Sequence, residues 1–309
     1  MSNVEILLLA LLLDAVLGEP EGIWSRIPHP VVLMGRAIEW VEARFNRGGA
    51  ARLLGALALL LLIVLVGGIA FAIALIPDLG ILELIGAAIL LSHRSLSDHV
   101  RAVARALPYS LDASRRAVGQ IVGRETHNLD DSGVSRAAIE TTAENFSDGV
   151  VAPAFWFLVA GLPGIAIYKL VNTADSMIGH RTERLEAFGW ASARLDDLLN
   201  FAPARIAGLL IALGAWSADA IEVMVSEAAL HRSATAGWPE GALAGALGVA
   251  LSGPRVYDGV ATDDPYLNAE ARRKLDFTDI YDALAIIWSA WAVLAALIAV
   301  PAIVFAFYV

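Results

Sequence analysis

The chain has 309 residues, 58% of them hydrophobic and only 17% charged, with a net charge of −10 and a mean hydropathy of +0.65. Soluble domains carry about a quarter charged residues, so this composition indicates a membrane protein. The acidic balance argues against nucleic acid as a partner, and the absence of cysteine excludes disulfides, thiolate metal sites and thiol nucleophiles.

Several apolar stretches of different kinds make up the N-terminal third of the chain. Residues 4–17 are short for a bilayer span. After them His29 lies between two prolines that force extended backbone, and it is either an available functional group or a structural residue. Residues 31–45 are amphipathic and predict a helix on the membrane surface. Residues 53–76 are uncharged and long enough to cross a bilayer, and residues 79–91 are predicted to return.

A polar region and an interrupted apolar segment follow. Residues 92–149 contain seven arginines and three histidines, which predicts a cytoplasmic helical region, with one helix over residues 110–123. Residues 150–171 are long enough to cross the membrane, but the sequence Gly-Leu-Pro-Gly at 161–164 interrupts them. Because the arginines of residues 172–205 favour the cytoplasm, we expect 150–171 to form a re-entrant hairpin rather than a crossing helix.

The C-terminal part is apolar at both ends and mixed in the middle. Residues 206–218 are a short apolar run, and residues 284–308 predict the last span, whereas the sidedness of 206–283 stays open. Small residues at Gly241, Gly245 and Gly248 suit close helix packing. The sequence therefore predicts an all-α fold: a polytopic integral membrane helical protein with short or broken membrane helices, a cytoplasmic helical polar region and a single membrane-embedded domain over residues 1–309.

One stretch is hard to explain by packing. Arg136, Glu140, Glu144 and Asp148 fall at i, i+4, i+8 and i+12, which is one stripe of a helix. Carboxylates in a row repel one another, and Arg136 can pair with only one of them. A solvated helix face is the simpler interpretation, but a stripe that runs into an apolar segment is a candidate cation site.

A second polar cluster follows the interrupted segment. As a helix, the chain after Tyr168 puts Lys169 and Asn172 on one face with Asp175 beside them. A lysine at a membrane edge can simply extend its ammonium to water. A cation that faces carboxylates is also the layout that holds phosphates through a divalent metal, and His180 and Arg181 extend this set of groups.

The third cluster contains Arg194, Asp196, Asp197 and Asn200. Adjacent aspartates point to different sides of a helix, so we expect one of them to reach a shared site, and Asn200 lies one turn beyond both. The Asp-Asp-x-x-Asn pattern is weak alone. Three such clusters, all beside apolar segments, are together stronger evidence for a functional site than any one of them.

These clusters make the chain resemble the cobalamin-biosynthesis family CobD/CbiB, the adenosylcobinamide-phosphate synthases. The resemblance runs almost from end to end. It rests on residues 140–153 (ETTAENFSDGVVAP), 168–180 (YKLVNTADSMIGH) and 188–205 (FGWASARLDDLLNFAPAR), with shorter matches at 13–20 (LDAVLGEP), 28–30 (PHP), 124–126 (RET) and 237–240 (GWPE). One departure stands at residues 233–236, where the family usually has Ser-Pro-Asn-Ala and this chain has Ser-Ala-Thr-Ala. Any substrate contact that the family makes through that asparagine is therefore not expected here.

The resemblance implies a ligase that uses ATP and Mg²⁺ to join aminopropanol, or its phosphate, to the free propionate of adenosylcobyric acid through an amide. It also implies a multi-pass protein of a prokaryotic cell membrane, in contact with membrane lipid, with its active site facing the cytoplasm. Association with other late enzymes of the corrin pathway is a further expectation. There is no Walker A sequence, so the nucleotide site is expected to be atypical.

Roles are assigned to the clusters on this basis. We expect Glu140 to act as a base, and the metal ligands to be Glu144, Asp148 and Asp175. Lys169 would neutralise phosphate charge and, with the three carboxylates Glu140, Glu144 and Asp148, complete the catalytic set. The expected substrate-binding and phosphate-binding residues are Arg124, Asn145, Asn172, His180, Arg181, Arg194 and Asn200.

Two other classes of function remain open. One is a Mg²⁺-dependent polyprenyl-type transferase, which would need a long lipid-facing tunnel and no ATP. The other is a secondary transporter, whose transport site would be the interrupted segment 150–171.

Overall fold

The computed structural model describes residues 1–123, 125–180, 182–254, 256–257 and 260–308. Helices make up nearly all of its regular structure. They are α1 (Asn3–Leu17), α2 (Glu21–Trp24), α3 (Pro30–Phe45), α4 (Ala51–Ala74), α5 (Ile81–Leu90), α6 (His93–Ala106), α7 (Leu111–Val118), α8 (Asp131–Phe146), α9 (Ala152–Ile178), α10 (Trp190–Ala215), α11 (Ala218–Glu227), α12 (Gly237–Leu247) and α13 (Phe277–Tyr308).

Four strands of two residues each complete the described elements. β1 (Leu251–Ser252) pairs with β4 (Tyr266–Leu267), and β2 (Val256–Tyr257) pairs with β3 (Val260–Ala261), both antiparallel. A π-helical turn, 147–151, joins α8 to α9. The all-α prediction is confirmed.

Within the part of the chain that the structure describes, four helical stretches are long and apolar enough to cross a membrane: Gly48–Ala74, Asp131–Ile178, Trp190–Ala215 and Phe277–Ile303. The chain is thus an all-α polytopic membrane protein, and the predicted spans 53–76 and 284–308 correspond to α4 and α13. The predicted return over 79–91 is only the ten-residue α5, which at 1.5 Å per residue covers about half of a hydrocarbon core roughly 30 Å thick. Short membrane helices were expected, and α1 and α5 are of that kind.

The chain divides into two compact units. The first contains 1–92, 152–200 and 301–309, and the second contains 93–151 and 201–300. Each unit is built from separate stretches of sequence. The prediction of one domain over 1–309 stays a prediction.

In the first unit, α3, α4 and α9 pack around a core that includes Ile38, Leu59, Leu170 and Phe188. The outward face of α4 is lined by exposed leucines, as expected for a helix in lipid. The loop before α10 is held by Glu42 of α3, whose carboxylate lies 2.9 Å from the Arg184 guanidinium. This packing fixes α9 against the N-terminal helices.

The predicted interruption of residues 150–171 is present inside α9. Gly161 has a φ of +62°, which L side chains rarely adopt, so the helix is broken there. The Trp156 indole N–H donates to the Leu199 carbonyl at 3.1 Å, while the Tyr168 hydroxyl reaches the adjacent residue, Asn200, at 2.9 Å. In a straight helix residues 156 and 168 would be about 18 Å apart. The chain therefore turns back on itself at Gly161; its re-entry into the membrane stays a prediction.

In the second unit, α6, α7 and α8 pack together, and α12 packs against α8 and α11. A side chain at Gly245 would collide with the backbone of α11, and one at Gly241 would be tight against Met224, in agreement with the expected close packing. The prediction is wrong for Gly248, which ends α12 in a left-handed conformation and has no neighbour within 4 Å of the position of a side chain. Buried His93 of α6 stacks on Trp291 of α13 with ring centroids 5.4 Å apart. Burial lowers the pKa of His93 to about 3, so its ring is neutral.

Candidate functional site

The predicted acidic stripe lies on α8, but its members have different surroundings. Glu140 is buried, Glu144 is exposed and Asp148 is half-buried. Arg136 donates hydrogen bonds to the carbonyls of Ala250 and Arg273. Of the three carboxylates in the stripe, only that of Glu144 is exposed to water.

Glu140 has a partner in the backbone of β1. The Ser252 N–H donates to its carboxylate at 2.6 Å, and both residues are buried. A buried N–H group needs an acceptor, and a carboxylate is a strong one. Glu140 thus anchors the start of the loop that follows α12, in addition to any chemistry it performs.

Asp148 lies in the π-helical turn rather than in a continuous α-helix. A π turn takes more residues per turn, so the regular stripe ends at Glu144 and Asp148 is rotated from it. Such turns occur frequently at functional sites. Asn145, one of the predicted binding residues, is half-buried and donates its amide to the Thr141 carbonyl at 3.0 Å.

The predicted magnesium ligands are divided between the two units: Glu144 and Asp148 belong to the second and Asp175 to the first. Among the described residues no group of three or more His, Asp or Glu side chains is arranged to hold a metal. Mg²⁺ usually keeps several waters and takes one or two carboxylates together with substrate phosphates. Glu144, on the last turn of α8, and Asp148, in the π-helical turn that follows, are carboxylates of the kind that chemistry needs.

The second and third predicted clusters meet in the first unit. The Asn172 amide of α9 donates to Asp196 of α10 at 3.2 Å, and the Asn200 amide donates to the other oxygen of the same carboxylate at 3.0 Å. The Asn200 carbonyl oxygen accepts from Tyr168. Asp196, Asn200 and Tyr168 are buried. This polar network joins the second half of α9 to α10.

Charged groups surround one end of this network. Asp175 is half-buried on the last turn of α9, and Asp197, His180 and Arg194 lie within electrostatic range of it. Arg194 forms an ion pair with Asp197 at 3.2 Å on the exposed side of α10. Lys169 is half-buried on α9, one turn before Thr173, whose hydroxyl bonds to the Lys169 carbonyl. The arrangement offers both acceptors and cations on adjacent helices.

His29 is a structural residue in this fold. Its Nδ1 accepts from the Val31 N–H at 3.2 Å and so caps α3, and its Nε2 lies 3.1 Å from the Ile89 carbonyl. Because a carbonyl only accepts, Nε2 carries the proton and the ring is neutral. Burial lowers the pKa of His29, although Glu19 opposes the shift.

Two predicted binding residues, Arg124 and Arg181, lie outside the described residues. Sequence reasoning left Tyr168 out of the predicted site and did not choose between Asp196 and Asp197, although Tyr168 and Asp196 form the buried network with Asn172 and Asn200. The signal was available: Tyr168 and Asn172, like Asp196 and Asn200, are four residues apart, which puts each pair on one helix face.

Comparisons with known proteins agree with these motifs. The family model described as CobD/Cbib protein matches residues 7–287. The chain is 47% identical over 306 residues to "Cobalamin biosynthesis protein CobD" of Rhizobium meliloti, covering 94% of each chain. It is 47% identical over 316 residues to the protein of the same name in Brucella suis, covering 97% of each, and 48% identical over 278 residues to that of Rhodobacter capsulatus, covering 88% of each. No solved structure matches the chain.

Proposed function

Because the chain belongs to the CobD/Cbib family, we propose that this membrane protein acts in cobalamin biosynthesis as a ligase that forms a C–N bond. Its substrates in this proposal are ATP, adenosylcobyric acid and aminopropanol or aminopropanol phosphate. The product is adenosylcobinamide or its phosphate. A corrinoid substrate follows from the role in cobalamin biosynthesis, whereas the amide ligation is the finer part of the proposal.

The observation that carries the proposal is the match over nearly the whole chain to proteins named for cobalamin biosynthesis. The motifs that first indicated the family include the carboxylates of α8 and the amide and carboxylate network of α9 and α10. Amide synthesis from a carboxylate and an amine at neutral pH needs activation of the carboxylate, acceptors for a metal and cations for phosphate. The described residues include both carboxylates that can bind a metal and cations that can bind phosphate.

The reaction is written as two transfers. The propionate oxygen attacks the γ-phosphorus of ATP, the bond from that phosphorus to the bridging oxygen breaks, and ADP leaves. The amine nitrogen then attacks the carbonyl carbon of the acyl phosphate, the C–O bond to phosphate breaks, and inorganic phosphate leaves. The proton lost by the amine goes to a base.

We assign roles to residues within this scheme. Glu140 accepts the amine proton, and Lys169 neutralises charge that develops on the transferred phosphoryl group. Glu144 and Asp148 would hold Mg²⁺, and Asp175 stays the third ligand expected from the sequence. When bound, this ion screens the charge of the phosphates.

The remaining expected contacts are with substrate phosphates and polar edges. They are assigned to Arg124, Asn145, Asn172, His180, Arg181, Arg194 and Asn200. We place the protein in a prokaryotic cell membrane with these groups on the cytoplasmic side, where ATP is available. Contacts with membrane lipid and with other late corrin-pathway enzymes belong to the same proposal.

The test is a reconstitution with the purified full chain in detergent. Adenosylcobyric acid, aminopropanol phosphate and Mg-ATP should give an amide product together with one ADP and one phosphate per amide. Parallel reactions with free aminopropanol identify the preferred amine, and reactions without ATP should give nothing. If no amide forms with either amine, the ligase proposal is wrong.

The same preparation separates the rival functions. A polyprenyl-type transferase would release diphosphate from a prenyl diphosphate and would ignore ATP. A secondary transporter would accumulate corrinoid inside proteoliposomes without making ADP. Either result, in the absence of amide product, would replace the ligase.

A further inference from the structure

A groove of about 760 Å³ opens in the second unit, and none of its lining residues has been given a role above. It lies where the chain after α6, the first turns of α8 and the loop before α13 come together. Three of its lining residues are cations: Arg136, Arg273 and Lys274. The volume is within the range of about 300–1,000 Å³ that is typical of pockets for small molecules.

The two arginines are held in place before any ligand arrives. Arg136 donates from Nε to the Ala250 carbonyl at 3.3 Å and from its terminal nitrogen to the Arg273 carbonyl. Arg273 donates to the Ala269 carbonyl at 3.1 Å. Both guanidinium groups stack toward the ring of Tyr266, 5.4 and 4.6 Å from its centroid. A fixed guanidinium loses little entropy when it binds an oxyanion.

The arrangement brings like charges together. Arg136 and Arg273 share one aromatic ring, and Lys274, one of the two lysines of the chain, follows directly. Each of these side chains has N–H groups beyond those used in the hydrogen bonds described. Like charges held this close repel one another, and an anion between them removes the repulsion.

Carboxylates also line the groove, but two of the three are committed to backbone. Asp130 accepts from the Gly133 N–H at 2.7 Å and caps α8. Asp276 accepts from the Thr278 N–H at 2.8 Å at the start of α13. The helix N-termini that they cap partly balance their charge. Asp131 is the third carboxylate, and its single negative charge does not offset the positive charges of the three cations.

The rest of the groove is apolar. Leu107 and Leu275 are buried in its floor, whereas Pro108 and Phe277 are exposed at its edge. A single phosphate would fill only a small part of this volume. A phosphate chain attached to a flat organic ring would use both the cations and the apolar surface, because aromatic side chains stack on such rings.

We propose that this groove binds the phosphate chain of a phosphorylated ligand, with the apolar edge receiving its organic part. Its assignment to the nucleoside triphosphate rests on the proposed ligase function, which requires ATP and for which the chain has no Walker A sequence. A lipid headgroup shares the phosphate chemistry, because the candidate span of α13 begins at Phe277, beside the groove. The two sources are separated by experiment.

The test measures binding of ATP and of inorganic tripolyphosphate to the purified full chain by calorimetry, in lipid-free detergent and without corrinoid. Arg273→Ala and Lys274→Ala should each weaken both ligands at least tenfold, and Lys274→Glu should weaken them more. Lys274 makes no side-chain hydrogen bond or ion pair within the described part of the chain, so its replacement should leave the fold intact. Arg116→Ala, an exposed charge loss on α7 in the same unit, is the control and should leave both affinities unchanged.

The outcomes distinguish the groove from the ligase. Wild-type affinity for tripolyphosphate in the Arg273→Ala/Lys274→Ala double variant would overturn the groove proposal, even if the protein makes amide. Loss of tripolyphosphate binding in the variants supports the groove, even if the wild type makes no amide. Nanodiscs of phosphatidylcholine with and without phosphatidylglycerol provide the last arm. If Lys274→Ala weakens only the binding to nanodiscs that contain phosphatidylglycerol, and tripolyphosphate does not bind to the wild type, the groove holds a lipid headgroup. The nucleotide assignment is then wrong.

Discussion

The Ser252 backbone N–H donates a 2.6 Å hydrogen bond to the carboxylate of Glu140, which lies 112 residues earlier in the chain. Ser252 has a φ of +59°, an uncommon conformation for a residue other than glycine. The bond therefore holds a strained backbone position to α8. A residue proposed as a catalytic base has a structural partner as well.

The two roles of Glu140 separate in a pair of variants. Glu140→Gln keeps a side-chain oxygen for the Ser252 N–H but removes the base, so stability should hold while the turnover rate falls by about 10²-fold or more. Glu140→Ala leaves the buried N–H without its acceptor and should also cost about 1–3 kcal/mol of unfolding free energy. Denaturation curves measure the stability of each variant, and the rate of amide formation measures its turnover. Wild-type turnover in Glu140→Gln would remove Glu140 from the chemistry.

Asp148→Asn should nearly abolish turnover with little loss of stability. The side chain is half-buried at the π-helical turn, and a neutral amide is a poor ligand for Mg²⁺. The unfolding free energy should change by no more than about 1 kcal/mol. The control is Asp112→Asn, which breaks only a surface pair with Arg115. Full activity of Asp148→Asn at low Mg²⁺ would contradict the assignment.

Lys169→Met tests whether this lysine acts on phosphate. Loss of a fixed cation should cost about 2.7 kcal/mol or more of transition-state stabilisation, while methionine keeps an apolar stem of similar length. Lys169→Arg should be intermediate, because a planar guanidinium does not reproduce a compact ammonium. Steady-state kinetics at saturating and limiting ATP give the comparison. Unchanged kinetics in Lys169→Met would mean that the ammonium group is only solvated at the membrane edge and takes no part in the reaction.

Both polar regions are expected on the cytoplasmic side, which cysteine labelling can test because the native chain has no cysteine. Ser192 is buried, so exposed positions are needed. Asn128→Cys reports on 92–149 and Glu186→Cys on 172–205, and both positions are exposed. Neither variant should react with an impermeant thiol reagent applied outside intact cells. Labelling of Glu186→Cys alone would mean that residues 150–171 cross the bilayer.

His29 should make stability depend on pH. Its pKa is lowered in the folded protein, so as the pH falls the unfolded chain takes up the proton first. Its contribution is complete above the ordinary value of about 6.5 and is lost as the pH drops below that value toward the folded pKa. His29→Asn keeps a capping side chain but does not titrate. The melting temperature of the wild type should fall more between pH of about 7.5 and about 5.5 than that of His29→Asn. Equal falls would contradict this role.

Much of the local structure was predictable because it depends on near neighbours in sequence. Length and hydropathy predict α4 and α13, and the Gly-Leu-Pro-Gly sequence predicts the break in α9, since glycine alone tolerates the backbone angles found at Gly161. Helical spacing also predicts that Asn172 and Lys169 lie near one face. These features follow from periodicity and backbone sterics.

Contacts between distant segments were decided only by the fold. Asp196 and Asp197 are equally good candidates in sequence, yet Asp196 is the one that meets Asn172, because α9 and α10 pack with that side inward. Likewise Glu140 meets Ser252, and Arg136 and Arg273 meet at Tyr266. The sequence by itself determined the membrane class, the family and the chemical groups. Tertiary packing determined which groups are buried and paired, because burial and hydrogen bonding depend on residues that are remote in the chain.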